Sequence, residues 1–316
     1  MAIPGPGVPI SMTTLNTEFG GGFSLSSYYR GGSFVPNTPQ NAAVPTSGAI
    51  SLGNFYGAVN RIIISLTATG NNYDVYANRG PTYSPGISDL TITVPGTVGS
   101  ASTGSYAMLV PNAFNPTDTV TIVNNGVIQG MGGAGGGGAA AVLIPTPLPA
   151  GSPGGGGGNA IYINRPTTIT NNGTIAAGGG GGGGGGAARA VSKGIHNLAG
   201  GGGGGGGAGT NGGGAGAGGT ASTGPNVVRS SPGSPGGAGT SPAGGGGGAR
   251  GTNPIVTGGN GGTGGGRGAG GAAGAAGTLP ATVVSPGGAA GAAGSYLVGN
   301  PFVTWPATGT RQGNVS

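Results

Sequence analysis

The chain has 316 residues, 86 of them glycine, and only 4% are charged, for a net charge of +6. Average glycine usage is about 7%, and such an excess without a collagen period usually marks disorder; disordered chains, however, are highly charged and poor in apolar residues, whereas 34% of this chain is hydrophobic. The absence of cysteine excludes a disulfide framework, a thiolate metal site and a catalytic thiol, and no run of about 20 apolar residues exists to predict a membrane span.

Residues 1–58 read as a first unit. Its opening, MAIPGPGVPISMTT, has no basic n-region and no apolar h-region, so no secretory signal is expected. Thr14 to Phe19 suits a short helical turn. Phe19 and the aromatic pairs Tyr28-Tyr29 and Phe55-Tyr56 stand out in a chain that is 5% aromatic. Such residues pack either a docking surface or a mini-core. Residues 59–128 read as a small β domain. RIIISLTA, YDVYA, LTITVP, YAMLV and TVTIV are short, β-branched or aromatic runs bounded by Asn, Gly and Pro. Five such strands predict a small sandwich or sheet.

An echo follows. TVTIVNNGVIQGMGGAGGGG from Thr119 and PTTITNNGTIAAGGGGGGGGG from Pro166 share alternating Thr and Ile or Val, then Asn-Asn-Gly, an apolar step and a glycine run. Asn-Gly between alternating runs is a strong hairpin signal, so each run is expected to leave a hairpin. In 129–294 glycine runs alternate with richer segments at 187–199, 220–235, 249–257 and 278–286, and 295–316 closes the chain.

Glycine loses more backbone freedom on folding than any other residue. Ordered runs therefore need a partner for every backbone N–H and C=O. Extended threefold helices satisfy this by pairing sideways, with about 3.1 Å rise per residue. The fold class expected is thus mainly β plus polyglycine II, with a bundle of extended helices joined by loops. Loops on a rigid scaffold carry function in many proteins. The candidate binding residues on them are Arg189, Lys193, His196, Asn197, Asn226, Arg229, Arg250 and Asn253. All four acids, Glu18, Asp74, Asp89 and Asp118, precede residue 119, and seven basic residues follow it. That asymmetry serves either solubility or attraction to an anionic surface such as lipopolysaccharide.

Catalytic chemistry finds little support. His196 is the lone histidine and has no acid or nucleophile beside it in sequence. The scattered acids give no close carboxylate pair for glycoside hydrolysis. The GxGxxG pattern is unavoidable in such runs and lacks its strand–turn–helix frame. Arg-Gly steps at 250 and 267 lack the interleaved aromatics of RNA-binding segments, and Trp305 reads as local packing. No catalytic residue, metal, cofactor, nucleic-acid partner or membrane insertion is expected.

The phrases MTTLNTEFGG, LSSYYRGG and VPTSGAISLGNFYG resemble the opening of many tailed-phage structural proteins. The Asn-Asn-Gly steps into glycine runs resemble the glycine-rich tail fibres and receptor-recognising adhesins of phages, among them the polyglycine tip adhesins of T-even-like phages. The ending GSYLVGNPFVTWPATGTRQGNV resembles phage fibre endings. The resemblance implies a virion protein of the tail fibre or baseplate, made in the host cytoplasm. Its N-terminal unit would dock other tail or baseplate proteins through Phe19, Tyr28, Tyr29, Phe55 and Tyr56. Its glycine region would meet a host polysaccharide or outer-membrane protein. Whether one chain folds alone or a homotrimer forms stays open. Two alternatives remain: a structural virion component without receptor contact, and an ice-binding glycine-helix bundle.

Overall fold

The computed structural model describes residues 3–144, 147–278, 280 and 282–316. Its frame is a parallel β-solenoid of stacked rungs. The first rung is β1 (Arg61–Ser65), β2 (Gly70–Asn71) and β3 (Tyr73–Asp74). The second is β4 (Asp89–Val94), β5 (Thr97–Gly99) and β6 (Met108–Val110), and the third is β7 (Thr119–Asn124), β8 (Val127–Gln129) and β9 (Ile161–Ile163). The fourth starts with β10 (Thr167–Asn171) and β11 (Thr174–Ala176). It closes only after an excursion that carries β12 (Ala188–Ser192), β13 (Ile195–Ala199), β14 (Val227–Ser231) and β15 (Val283–Val284), with β16 (Ser295–Val298). The fifth is β17 (Val303–Ala307), β18 (Thr310–Gln312) and β19 (Asn314–Val315).

Corresponding strands pair in parallel, giving three five-stranded sheets: β1-β4-β7-β10-β17, β2-β5-β8-β11-β18 and β3-β6-β9-β16-β19. Register decides the core. Ile64, Ile92, Ile122 and Ile169 stack rung on rung, as do Val98, Ile128 and Ile175, and Met108, Ile161 and Leu297. Most of these side chains are fully buried, and each contributes about 1.5–3 kcal/mol by leaving water.

The Asn-Asn-Gly steps are the corners of this coil. Asn124 lies over Asn171 and donates from Nδ2 to its Oδ1 at 2.7 Å; Asn172 donates to Asn125 at 2.9 Å. Glycine is required there by close approach. A Cβ on Gly126 would stand 2.0 Å from the Gly96 carbonyl, and one on Gly173 2.2 Å from that of Gly126.

The expected fold class is therefore corrected. The anticipated small sandwich with hairpins is a coil of parallel strands, because the echoed motif is a corner within each rung, repeated from one rung to the next, rather than a reversal of a strand. The glycine runs are not a separate bundle of threefold helices standing after a β domain. They are excursions from the third and fourth rungs, at 130–158 and 177–294, and among the described residues they contain no helix. Their N–H groups bond neighbouring segments: Gly181 to Gly155, Gly182 to Gly205 and Gly183 to Ala272, at 2.7–2.9 Å.

Residues 3–59 pack on the first rung. Helix α1 (Met12–Phe19) begins at a Ser11–Thr14 capping box. Leu15, Phe19, Tyr28, Val35, Val44 and Phe55 form its own core. The Glu18 carboxylate accepts the Asn60 N–H at 2.8 Å, tying this unit to β1. Among the described residues no helix is long and apolar enough to cross a membrane.

Buried Asp118 ties the second rung to the third. It accepts the Tyr83 hydroxyl at 2.7 Å and the N–H groups of Gly86, Ser88 and Asn115. Burial, helped by the bond to Asp118, pushes the Tyr83 hydroxyl from 10.0 up to about 12. A raised pKa favours the protonated phenol in the folded state. The stabilisation is complete below pH 10 and is lost as pH rises through about 12. The melting temperature of the native chain is thus expected to fall across that window, and more steeply than that of Tyr83→Phe. Parallel curves in thermal melts would remove this role for Tyr83.

Candidate functional site: a five-loop tip

The glycine segments run between two ends. At the near end their turns rest on the solenoid. Asn211 donates to Asn71 Oδ1 at 3.2 Å and to the Ser100 carbonyl at 2.8 Å; Ser241 and Arg267 both bond Gln129 Oε1, at 2.8 and 3.1 Å. The far end gathers five loops, around residues 140–150, 188–199, 221–231, 251–257 and 278–285. Three of them supply a sheet of order β14-β13-β12-β15, and the other two are bridged to these loops through Ala141–Ala221 and Thr257–Thr278.

Local chemistry builds the centre of this tip. β12 and β13 form a hairpin that turns at Lys193 (φ 48°) and Gly194 (φ 74°). Two successive positive φ values give the twist that suits a two-residue hairpin loop. β14 then adds in parallel to β13, and β15 antiparallel to β12. Arg189 is buried beneath the hairpin and donates to the carbonyls of Val142 and Leu143, drawing in the first loop. Asn253 donates to the Leu198 carbonyl at 3.3 Å while its Oδ1 accepts from Ile255 and Val256, which fixes the 251–257 turn.

The binding candidates thus fall into three groups. Lys193, Asn226, Arg229 and Arg250 are exposed. His196 and Asn253 are half-buried, and Arg189 and Asn197 are buried at the base. Leu279 and Ala281 of the last loop lie outside the described residues. In the N-terminal unit Phe19, Tyr28 and Phe55 are fully buried and make edge or tilted ring contacts with one another. Tyr29 and Tyr56 are half-buried. Among the described residues no cluster of His, Asp or Glu can hold a metal ion.

Sequence reasoning missed the loop at 140–150, and it missed the apolar residues of the tip. Ile144, Val191, Ile195, Val228, Ile255 and Val284 are all exposed there, Ile144 at 82%. Their only sequence signal is position, in the short segments between glycine runs. The tip is therefore aliphatic and cationic. It has no acid, since none follows Asp118, and none of its loops contains Phe, Tyr or Trp.

A parallel solenoid that carries a backbone-bonded body ending in solvent-facing loops defines a scaffold for recognition, a protein that presents a surface. The sequence model of the phage tail fibre adhesin Gp38 family matches residues 61–316, and the chain belongs to that family. It is a receptor-binding adhesin of a phage tail, as the resemblance at both ends and in the glycine region implied. The fold is similar to that in a crystal structure of the gp37–gp38 adhesin tip complex of the bacteriophage S16 long tail fibre. The two share 24% identity and a TM-score of 0.50 over 100% of each chain. Comparison with curated proteins returns no match.

Proposed function

We propose that the five-loop tip is the receptor-binding surface and that its receptor is an outer-membrane protein of the host. The observation that carries this is the clustering of Ile144, Val191, Ile195, Val228, Ile255 and Val284 at one end. Contiguous exposed apolar side chains on a soluble chain mark interaction sites. Aliphatic side chains beside Lys193 and Arg229 suit a protein surface that offers apolar and acidic groups. A polysaccharide would be better served by the rings of Phe, Tyr or Trp, which the tip lacks. The lattice of backbone bonds anchors the segments from which the loops emerge, which lowers the ordering cost of binding.

The N-terminal unit serves attachment to the tail. The solved relative is a complex with gp37, and this chain is assigned a fibre partner of the same kind. The surface offered for it includes Phe23 and Val8, which are 70% and 51% exposed. Tyr29 and Tyr56 are half-buried and remain partly accessible, while Phe19, Tyr28 and Phe55 hold the unit together from inside.

Exchange of residues 187–199 for the corresponding hairpin of a relative with another host tests the tip. Adsorption to a panel of bacterial strains is expected to change while incorporation into particles stays intact. An unchanged host range would remove the hairpin from the binding surface.

A further inference from the structure

We propose that the flank of the solenoid carries a second binding site, for one neutral pyranose ring of a surface glycan. It lies on the face formed by β3, β6, β9 and β16, away from the tip. Alternation along those strands sends Met108, Ile161 and Leu297 inward and leaves Asp74, Leu109, Tyr162 and Val298 half-exposed in one register. Tyr106, on the loop that leads into β6, lays its ring on Tyr162, with centroids 5.0 Å apart and planes at 39°. Two half-buried tyrosines side by side make an apolar platform with polar rims.

A cavity of about 360 Å³ adjoins this platform, lined by Asn72, Asp74, Gly104, Ser105, Tyr106 and Leu109. That is the low end of the range of roughly 300–1,000 Å³ for small-ligand sites, and it suits a single sugar ring. The polar groups around it are only partly used. Asp74 Oδ1 accepts the N–H groups of Tyr76 and Ala77 at 2.8 and 3.0 Å, which fixes the carboxylate. Its Oδ2 has no hydrogen-bond partner among the described residues. Asn72 is held at φ 53° with its Oδ1 accepting from Ala101 at 3.0 Å, and its Nδ2 is unengaged. The hydroxyls of Tyr106 and Tyr162 are likewise without a protein partner among the described residues.

The chemistry selects the ligand. A pyranose has an apolar C–H face, which the tyrosine rings accept, and a rim of hydroxyls. Those hydroxyls can donate to Asp74 Oδ2 and accept from Asn72 Nδ2 and the phenols. Asp74 forms no ion pair among the described residues, so its negative charge disfavours uronic acids, sialic acids and phosphorylated sugars. The tip has aliphatic and cationic groups and no Phe, Tyr or Trp. The flank has rings and a carboxylate. The two surfaces suit different ligands.

The test is titration of the full chain with methyl glycosides of glucose, galactose and N-acetylglucosamine, read by calorimetry and by the tyrosine-ring resonances. Weak saturable binding of at least one is expected, with the Tyr106 and Tyr162 signals shifting. Tyr106→Ala and Asp74→Asn should each weaken it at least tenfold with an unchanged melting temperature. Asparagine at 74 can still accept the turn N–H groups, so that variant remains informative if Tyr106→Ala fails to fold. Ile195→Asp at the tip should leave this binding unaltered. No binding of any neutral sugar, binding of anionic sugars alone, or equal affinity in Asp74→Asn would overturn the proposal.

Discussion

Gly182→Val is expected to abolish folding of the glycine-rich body. Gly182 donates to the Gly205 carbonyl at 2.7 Å and accepts from Gly136 at 2.8 Å. A Cβ at this position would stand 2.1 Å from the Gly262 carbonyl oxygen and 2.5 Å from its carbon. Those atoms belong to the main chain of a neighbouring segment that is itself pinned on other sides. No side chain can rotate away, so the segments must separate and break their bonds along the contact. Overpacking of an ordinary core costs about 1–3 kcal/mol. Here the loss should exceed about 4 kcal/mol, the range of exceptional substitutions. Soluble yield and thermal melts read the effect. Gly246→Ala is the matched control, since nothing lies within 4 Å of its added Cβ, and it should behave like the native chain. A stable, soluble Gly182→Val protein would mean that the segments are not packed backbone to backbone.

The second large effect concerns binding. Ile195→Asp combined with Val228→Asp should lower binding to host cells at least tenfold, which corresponds to about 1.4 kcal/mol. Ile195 and Val228 are 44% and 63% exposed, so the pair contributes little to stability; surface changes of this kind usually stay within about 0.5 kcal/mol. In a complex, each would have to desolvate a carboxylate where an aliphatic group had packed. Buried apolar anchors dominate interface energy, while the rim adds little. Arg250→Ala, at the edge of the 251–257 loop, should therefore cost less than the double change. Adsorption kinetics with matched melting curves separate lost binding from lost folding. Full adsorption by the double variant would move recognition off the aliphatic cluster.

Much of the five-loop tip was legible in the sequence. Glycine runs punctuate the chain so sharply that four of the five loops could be bounded from composition, and Lys193, Asn226, Arg229 and Arg250 do face solvent there. The fifth, at 140–150, follows an alanine-rich step rather than a clean boundary. Which loop residues are exposed could not be read, because exposure of Ile144 or Val228 depends on how five distant segments meet.

The solenoid was legible only in fragments. Asn124-Asn125-Gly126 and Asn171-Asn172-Gly173 were visible as an echo, yet the same motif serves hairpins and solenoid corners. Only the partner strand tells the two apart. The last member of the series, Thr308-Gly309-Thr310, lies beyond the long excursion at 177–294, so the period is lost on the page. In the fold its Gly309 stacks on Asn171. The aromatic pairs misdirected for another reason. A unit as small as 3–59 has few large side chains, and it spends Phe19, Tyr28 and Phe55 on its own core.

The most direct test of where this adhesin recognises its host is hydroxyl-radical footprinting of the full chain, free and bound to host outer membranes. Protection is predicted at Ile144, Val191, Ile195, Val228 and Ile255, with the edges of the glycine segments unchanged. Protection confined to the solenoid flank or to the N-terminal unit, with these five residues still reactive, would contradict the account.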